Sequence, residues 1–520
     1  MTGAASEAAA ASPARRSLRL PSVETMFVAA ILLVAIAPAV QPVTDPDFFW
    51  HLQVGRWILD HGAIPHQDLF TFTVPDHAFI AHEWLSEVIM AALTNAAGLT
   101  GPALFFGIVT WVGFYVLLKT PRQVAFLVAG LSLAIGMVAG SPIFGPRTQM
   151  ITFALTAILL LMLRHYRETG DRRVLYVLPP MFVLWVNLHA GFTIGLIFLY
   201  ITILGELVYG WFKRRAAEPG AAPGVPLRPL VIATLLSTAA VAINPNFYNI
   251  YLYAAQTQFS SAQQQLIVEW FSPDFHRAEL RPFEVMFVLV IVLLAFSPRK
   301  PRLTDTLLLL SVIVLSLQSV RHIALFVVVA IPITAELLQG LIDAHRDRLP
   351  RFRLPRTTTA IGAINLLVLL LVAGVMAWVA VPKATAGFRS PLVTKTYPVA
   401  AVDYIENDPP PGHMFNNYGW GGYLVYRLWP GQSVFVYGDA AVMGDPFLRE
   451  YQAISVLQPN YLDILNRRGV TWILYPTRDP FETVMAHSQG WVQVFQDNDA
   501  TLLVKRTPET QEWLARHAYP

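Results

Sequence analysis

Thr44-Asp45-Pro46-Asp47-Phe48-Phe49-Trp50-His51 follows directly on the first apolar stretch, Met26–Val40. Two carboxylates and a histidine, wrapped in aromatics, stand where a membrane-crossing helix would reach the surface. Ionisable residues beside lipid are costly, so by default they flag function. Asp47 and His51 are four apart, so on a helix they share a face. Pro46 suits a helix start, with Asp45 as its N-cap. For Asp45 the capping and functional roles weigh equally. For Asp47 function is favoured, because a plain cap needs only one carboxylate.

The rest of the chain agrees with a membrane setting. It has 520 residues, 55% hydrophobic and 14% charged, and a mean hydropathy of +0.48. Those values exclude an ordinary soluble protein and imply a multi-spanning one. The net charge of +3 is too small to suggest nucleic-acid binding. Cysteine is absent, which excludes disulfides, thiol catalysis and cysteine metal sites. Residues 1–22, with Arg15, Arg16 and Arg19, read as a disordered cytoplasmic tail. Ala35-Ile36-Ala37 imitates a signal-peptide cleavage site, but Pro38 follows it, so the segment reads as a retained first helix.

A spanning helix needs roughly 20 apolar residues. Candidates are 24–42, 101–118, 123–141, 149–163, 174–189, 191–212, 229–243, 283–297, 303–320, 323–342 and 358–381. Basic clusters such as Arg164/Arg167/Arg172/Arg173 and Arg299/Lys300/Arg302 lie between them, as expected of cytoplasmic loops. With the N-terminus also cytoplasmic, segments 43–100, 142–148, 244–282 and the tail after Pro382 fall outside. Glu83–Ala97 is read as a half-inserted or surface helix, because a full crossing there would reverse every later loop.

The expected fold class is therefore mainly α: a polytopic membrane bundle of about 11–13 spans over residues 23–382, with a C-terminal extracytoplasmic α/β domain over 383–520. The first outer loop, 43–82, contains Phe48–His61, spaced like an interfacial amphipathic helix. The second, 244–282, contains another candidate helix at Tyr248–Gln265. In the tail, Ser433–Tyr437, Thr471–Tyr475, Val492–Phe495 and Thr501–Val504 read as strands. Pro398–Glu406, Trp420–Leu428, Pro446–Leu457, Tyr461–Arg468 and Pro480–His487 read as helices. Ala216–Pro226 reads as a linker.

Polar residues gather at the outer edge of this topology. Asp45, Asp47 and His51 follow the first span, and His82, Glu83 and Glu87 open the half-helix. Arg147 and Gln149, Asn187 and His189, Asn244 and Asn246, Glu269, and Arg321-His322 lie at later turns. Both charge signs meeting at one depth imply a wet cleft, with cations to hold an anion and a carboxylate to act as base. Each residue also has a plainer reading. His82 suits a headgroup anchor, Glu83 and Glu87 a solvated face, Asn187 a bridge between helices, His189 a turn, and Arg321 a snorkelling cation. Asp45-x-Asp47 resembles a carboxylate pair for a divalent cation, a weak pattern that leaves metal use open. No phosphate-cradling glycine loop or nucleophile elbow is present, and neither a nucleotide nor haem is expected.

These motifs resemble the GT-C superfamily of membrane glycosyltransferases, which includes protein O-mannosyltransferases, the lipid A aminoarabinose transferase and the oligosaccharyltransferase catalytic subunit. The likeness rests on Asp45-Pro46-Asp47 through Trp50-His51, Gly55-Arg56-Trp57, Gly62-Ala63-Ile64-Pro65, Asp68-Leu69-Phe70-Thr71-Phe72-Thr73 and His82-Glu83-Trp84. It resembles most a group of bacterial membrane proteins named only as glycosyltransferases. They share Arg147-x-Gln149, Trp185-x-Asn187-x-His189, Asn244-Pro245, Glu269-Trp270 and Arg321-His322. In the tail, Phe415-Asn416-Asn417-Tyr418-Gly419-Trp420-Gly421-Gly422 and Tyr437-Gly438-Asp439 resemble that group's outer domain. Asn417 stands where the oligosaccharyltransferase has an aspartate, and Tyr437-Gly438-Asp439 where the group usually has Asp-Gly-Arg.

The resemblance implies a bacterial plasma-membrane enzyme moving a sugar from a polyprenyl-phosphate donor to an extracytoplasmic glycan, lipid or protein, with inversion. Asp47 would be the base and Asp45 would orient the acceptor or share a metal. Arg147, Arg321 and His322 would hold the phosphate, with His51, His189, Asn187, Glu83 and Glu269 completing the substrate site. The rival readings are a transporter or flippase of an anionic lipid, and a non-catalytic envelope-assembly protein. Charges continuing through the bundle by way of Glu206 and Glu336 would favour the transporter.

Overall fold

The computed structural model describes residues 20–216, 225–348, 355, 357–387, 389–394 and 397–517. Most of the N-terminal tail and of the Ala216–Pro226 linker lie outside the described residues. Every apolar segment read as a span is helical. Five helices are long and apolar enough to cross a membrane by length and composition: Thr100–Lys119, Gln149–Thr169, Phe192–Phe212, Val320–Ala344 and Thr359–Ala384. Five shorter apolar helices accompany them among the described residues.

Burial ranks the long helices. In Val320–Ala344, 78% of the apolar window is buried, against 11% in Thr359–Ala384. The first is the axis of the bundle. The second is a perimeter helix, packed on Val23–Val34 and otherwise apolar outward. Gln149–Thr169 packs on Thr100–Lys119, and Phe126–Gly140 on the central helix. Twenty-one residues at 1.5 Å rise make Gln149–Thr169 about 31 Å long, which matches a hydrocarbon core. Its two ends therefore lie at opposite surfaces.

Phe48–His61 is a helix with the bounds read from its spacing, closed by Gly62 in the left-handed region at φ 62°. It packs against the helix Trp84–Ala97. Gly55 permits the approach, since a Cβ there would lie 1.9 Å from the Glu87 carbonyl oxygen. His51 and Gly55 are one turn apart on the same face, so the close contact also brings His51 onto Glu87. In the second long loop, Tyr248–Gln265 divides into Asn249–Phe259 and Ser261–Leu266, with Ser260 capping the latter through Gln263 N–H.

The tail carries a four-stranded sheet: β1 (His413–Asn416), β2 (Val470–Pro476), β3 (Trp491–Gln496) and β4 (Ala500–Lys505), in spatial order β1-β2-β4-β3. β1 pairs parallel to β2, and the other pairs are antiparallel. The five helices read from the sequence form to within a few residues. Ser433–Tyr437 does not form a strand. It is β-rich and buried, but its polar backbone is satisfied otherwise. Asn416 Oδ1 accepts from Phe435 N–H (2.9 Å), its Nδ2 donates to Val436 C=O (2.9 Å), and Val434 N–H donates to Phe70 C=O (3.0 Å). The segment is thus threaded between β1 and the 43–82 loop. Thr73 Oγ1 on Phe435 C=O (2.8 Å) and Tyr437 OH on Asp68 (2.9 Å) complete the lock.

Candidate active site

Asp45 and Asp47 are set by a tight turn. Asp47 N–H donates to Asp45 Oδ1 (2.8 Å), and Phe48 N–H to Asp45 C=O (3.2 Å). Asp45 thus caps its own turn, and its other oxygen meets Arg147 Nε at 2.7 Å. Arg147 Nη2 bonds Glu269 at 2.7 Å. The arginine expected to hold phosphate is a clamp between two carboxylates from distant loops, with only Nη1 left over. Ser319 Oγ donates to Glu269 C=O (2.8 Å), and Val320 N–H to Phe271 C=O (3.0 Å), which ties the same loop to the turn bearing Arg321.

Asp47 is different. Trp50 Nε1 donates to Oδ1 (3.1 Å), and no ion pair reaches it among the described residues. Burial, then the Asp45 charge, raise its pKa to about 7, with His51 pulling partly the other way. A carboxyl so placed exchanges protons near neutrality, the range that suits a general base.

His51 is stacked on Trp50 at 3.5 Å between ring centres. Its Nδ1 is 2.8 Å from Glu87 Oε1, and its Nε2 3.6 Å from Glu83 Oε2. Burial works against its charge, but Glu83 and Glu87 prevail and raise its pKa to about 9. Neither glutamate is a solvated face, since both are buried. Glu83 is ringed by His82 (3.3 Å), His189 (3.4 Å) and His51 (3.6 Å). Burial would raise its pKa, but His189, His51 and His82 hold it well below the carboxylate range. His82, read as a headgroup anchor, instead stacks on Tyr253 at 4.4 Å. Gly191 N–H donates to His189 Nδ1 (2.8 Å), as does Thr152 Oγ1 (2.7 Å). His189 Nδ1 is therefore the acceptor, and Nε2–H faces Glu83.

Arg321 is half-buried and has no carboxylate within ion-pair distance among the described residues; its guanidinium lies 4.7 Å from the Trp270 ring centre. His322 sits one step aside, in a smaller adjoining cavity that also touches Arg321. Its Nδ1 is 3.3 Å from Leu315 C=O. Asn187 lies outside the cleft. Its amide bonds Val183 C=O (2.7 Å) and Ile243 C=O (2.9 Å), and its oxygen accepts from Trp84 Nε1 (2.7 Å), which is the helix-bridging role.

The cleft has a volume of about 420 Å³, within the range of small-molecule sites. Asp45, Asp47, His51, Glu83, Arg147, His189, Glu269 and Arg321 all line it. So does the tail, through Tyr418, Gly438 and Asp439, none of which the spacing of motifs had singled out for the site. Asp439 Oδ1 caps Ala441 and Val442, while its buried Oδ2 has no partner. Gln149 Oε1 is also unpaired. The pair Asp45 and Asp47 does not fit a divalent cation: Asp45 is committed to Arg147 and the Asp47 amide. Among the described residues no group of three or more His, Asp or Glu is arranged to hold a metal ion.

Solved structures resemble the whole chain. ArnT from Cupriavidus metallidurans, bound to undecaprenyl phosphate, matches with a TM-score of 0.51 at 13% identity, covering 93% of this chain and 98% of that one. The Archaeoglobus fulgidus oligosaccharyltransferase, tethered to an acceptor peptide containing the NVT sequon, matches with a TM-score of 0.51 at 12% identity, covering 93% of this chain and 74% of that one. No family model and no curated sequence matches the chain. The chain has the GT-C fold, the fold of membrane glycosyltransferases.

Proposed function

We propose that the protein is an integral membrane glycosyltransferase that moves a sugar from a polyprenyl-phosphate donor to a hydroxyl of an extracytoplasmic acceptor, with inversion. The observation that carries this reading is Asp47: a carboxyl with a pKa near 7, in one cleft with the Arg321 cation, neither of them in an ion pair among the described residues. Asp47 takes the proton of the acceptor hydroxyl as its oxygen attacks the anomeric carbon. The anomeric carbon–oxygen bond to phosphate breaks on the opposite face, and the polyprenyl phosphate leaves as an anion. Arg321, helped by the remaining edge of Arg147, stabilises that growing charge, an effect of about 3 kcal/mol for a well-aimed donor. His51, protonated up to about pH 9, favours the ionised form of Asp47. Asp45 positions the turn, and the tail residues Tyr418 and Asp439 shape the acceptor side. This reading sets the cleft and the 383–520 unit on the extracytoplasmic side of a bacterial plasma membrane.

The transporter reading needs a polar path through the bundle. Gln149–Thr169 carries no charged residue before Arg164, Leu303–Gln318 none after Asp305, and Ile323–Ala344 none before Glu336. Glu206 and Glu336 lie deeper in their helices but away from the cleft, at the level of Arg167 (3.8 Å) and Arg164 (2.6 Å), which they meet. That separation supports an enzyme with a one-sided site.

The test is a transfer assay on the purified protein with a panel of polyprenyl-phosphate sugars, using Asp47→Asn as control. Loss of transfer with retained donor binding is the expected result. Full activity of Asp47→Asn would remove Asp47 from the role of base, and no transfer by wild type from any donor would favour a non-catalytic protein.

A further inference from the structure

The helices that meet at the cleft converge again at the opposite surface. Gln149–Thr169 starts at the cleft and brings Arg164 about 22 Å further along its axis, with Arg167 a turn beyond. Leu303–Gln318 brings Asp305 in its first turn, and Ile323–Ala344 brings Glu336 about 20 Å along its axis. Together with two connecting loops they enclose a second cavity of about 580 Å³.

Its charges do not balance. Four carboxylates face three arginines: Glu168 meets Arg122 (3.0 Å), Glu336 meets Arg164 (2.6 Å), and Asp305 and Glu206 both meet Arg167 (2.6 and 3.8 Å). Three more cations on the same wall, Arg299, Lys300 and Arg302, have no carboxylate among the described residues. Arg299 donates to the carbonyls of Arg122 (3.1 Å) and Gln123 (3.4 Å), Lys300 to that of Leu294 (2.7 Å), and Arg302 makes no side-chain hydrogen bond among the described residues.

Beneath them two buried guanidiniums keep unused donors. The side chains of Arg164 and Arg167 are 4% and 2% exposed, yet Nε of each lacks a hydrogen-bond partner, and Arg167 Nη1 has only the Glu206 carboxylate at 3.8 Å. Buried N–H groups are rarely left so. Arg299 is half-buried, and Lys300 and Arg302 stand exposed at the rim of the cavity, above this buried floor.

We propose that this cavity binds a phosphate-bearing anion, held by Arg299, Lys300 and Arg302 above the Arg164–Arg167 floor. The shared chemistry is a phosphate group. It could arrive as the headgroup of an acidic phospholipid in the adjoining leaflet or as a soluble phosphate. The site is separate from the cleft and does not depend on the reaction assigned to it.

The full-length protein in phosphatidylcholine nanodiscs provides the test. One arm adds phosphatidylglycerol to the nanodiscs, and the other titrates inorganic pyrophosphate, with binding read by native mass spectrometry and by thermal stability. The variant is Arg299→Gln with Arg302→Gln, since removing Arg164 or Arg167 would strand buried carboxylates and endanger folding. Saturable binding in either arm is expected, weakened roughly 25-fold in the double variant at about fivefold per charge. Binding should be unchanged in a control variant, Arg467→Gln with Arg516→Gln, on the distant tail. Response to phosphatidylglycerol alone identifies a lipid site, and response to pyrophosphate a site open to soluble phosphate. No response in either arm, or an equal loss in the control variant, overturns the proposal.

Discussion

Gly438 of the tail stands so close to Asp47 of the first loop that a Cβ on it would lie 1.7 Å from Asp47 Oδ1 and 2.9 Å from Trp50 Nε1. The tail therefore forms one wall around the candidate base, and that wall has no room for a side chain. Gly438→Ala should turn the Asp47 carboxylate away rather than unfold the protein, because the group in its path is the end of a rotatable side chain. A displacement of about 1 Å at a reacting group costs on the order of 10²-fold in rate. The expected result is a fall in kcat of that order with a Tm within a few degrees of wild type, read by transfer assay and thermal melt. A fully active Gly438→Ala would show that Asp47 need not hold this position.

The pH profile follows from the same carboxyl. Burial and Asp45 raise the Asp47 pKa to about 7, so the base form is scarce below that pH. Transfer should rise through about pH 7 and level off above it. His51, protonated up to about 9, lowers the Asp47 pKa. His51→Gln should therefore move the acidic limb to higher pH. Stability carries its own sign. His51 has a folded pKa above the ordinary 6.5, so its contribution is complete below about 6.5 and lost as pH rises through 9. The melting temperature of wild type should fall over that window, and that of His51→Gln should fall less. An acidic limb that stays fixed in His51→Gln would exclude this coupling.

The polar cleft residues that could be read from sequence were those at turns between spans, because an ionisable group beside lipid stands out against 55% hydrophobic composition. The Phe48–His61 helix was legible for a similar reason: Pro46 marks its start, Gly62 its end, and the aromatic spacing its buried face. Ser433–Tyr437 misled because β-rich composition reports burial, and here the Asn416 side chain replaces the expected strand partner. β1 escaped notice because it has only four residues after a proline run. Asp439 enters the sequence reading only through the tail motif Tyr437-Gly438-Asp439. Only the contact of Gly438 with Asp47, across nearly four hundred residues of chain, puts it in the cleft, and no local spacing records such a contact.

Arg147 and Arg321 should separate on substitution. Arg147→Gln leaves Asp45 and Glu269 facing each other without their shared cation. The expected loss of stability is about 3 kcal/mol, the lower end for breaking a buried pair because Glu269 is half-exposed. Arg321→Gln removes only a cation lying over Trp270, a loss of about 1 kcal/mol or less. Its larger effect should be on donor affinity, roughly tenfold or more for a lost charge-assisted hydrogen bond to phosphate. Thermal melts and donor titration of both variants check this. Equal donor affinity in wild type and Arg321→Gln would take Arg321 out of phosphate recognition.

Asn187 provides the converse case. Its side chain joins Trp84 Nε1 at the start of one helix to the Val183 carbonyl on its own helix and the Ile243 carbonyl just past Leu227–Ala240, and it does not line the cleft. Asn187→Ala leaves an indole N–H and the Ile243 carbonyl unpaired, at about 1–3 kcal/mol for each buried group stranded. Glu83 adjoins Trp84, so the loosened helix end also sits next to the ring of histidines. If the amide is only a bridge, Asn187→Ala lowers Tm while kcat and KM of the folded fraction stay within about twofold of wild type, inside the few tenths of a kcal/mol by which independent sites add. A KM for the donor that rises tenfold at unchanged Tm would instead place Asn187 in substrate binding, and the cleft would have to open toward Trp84 in the bound state.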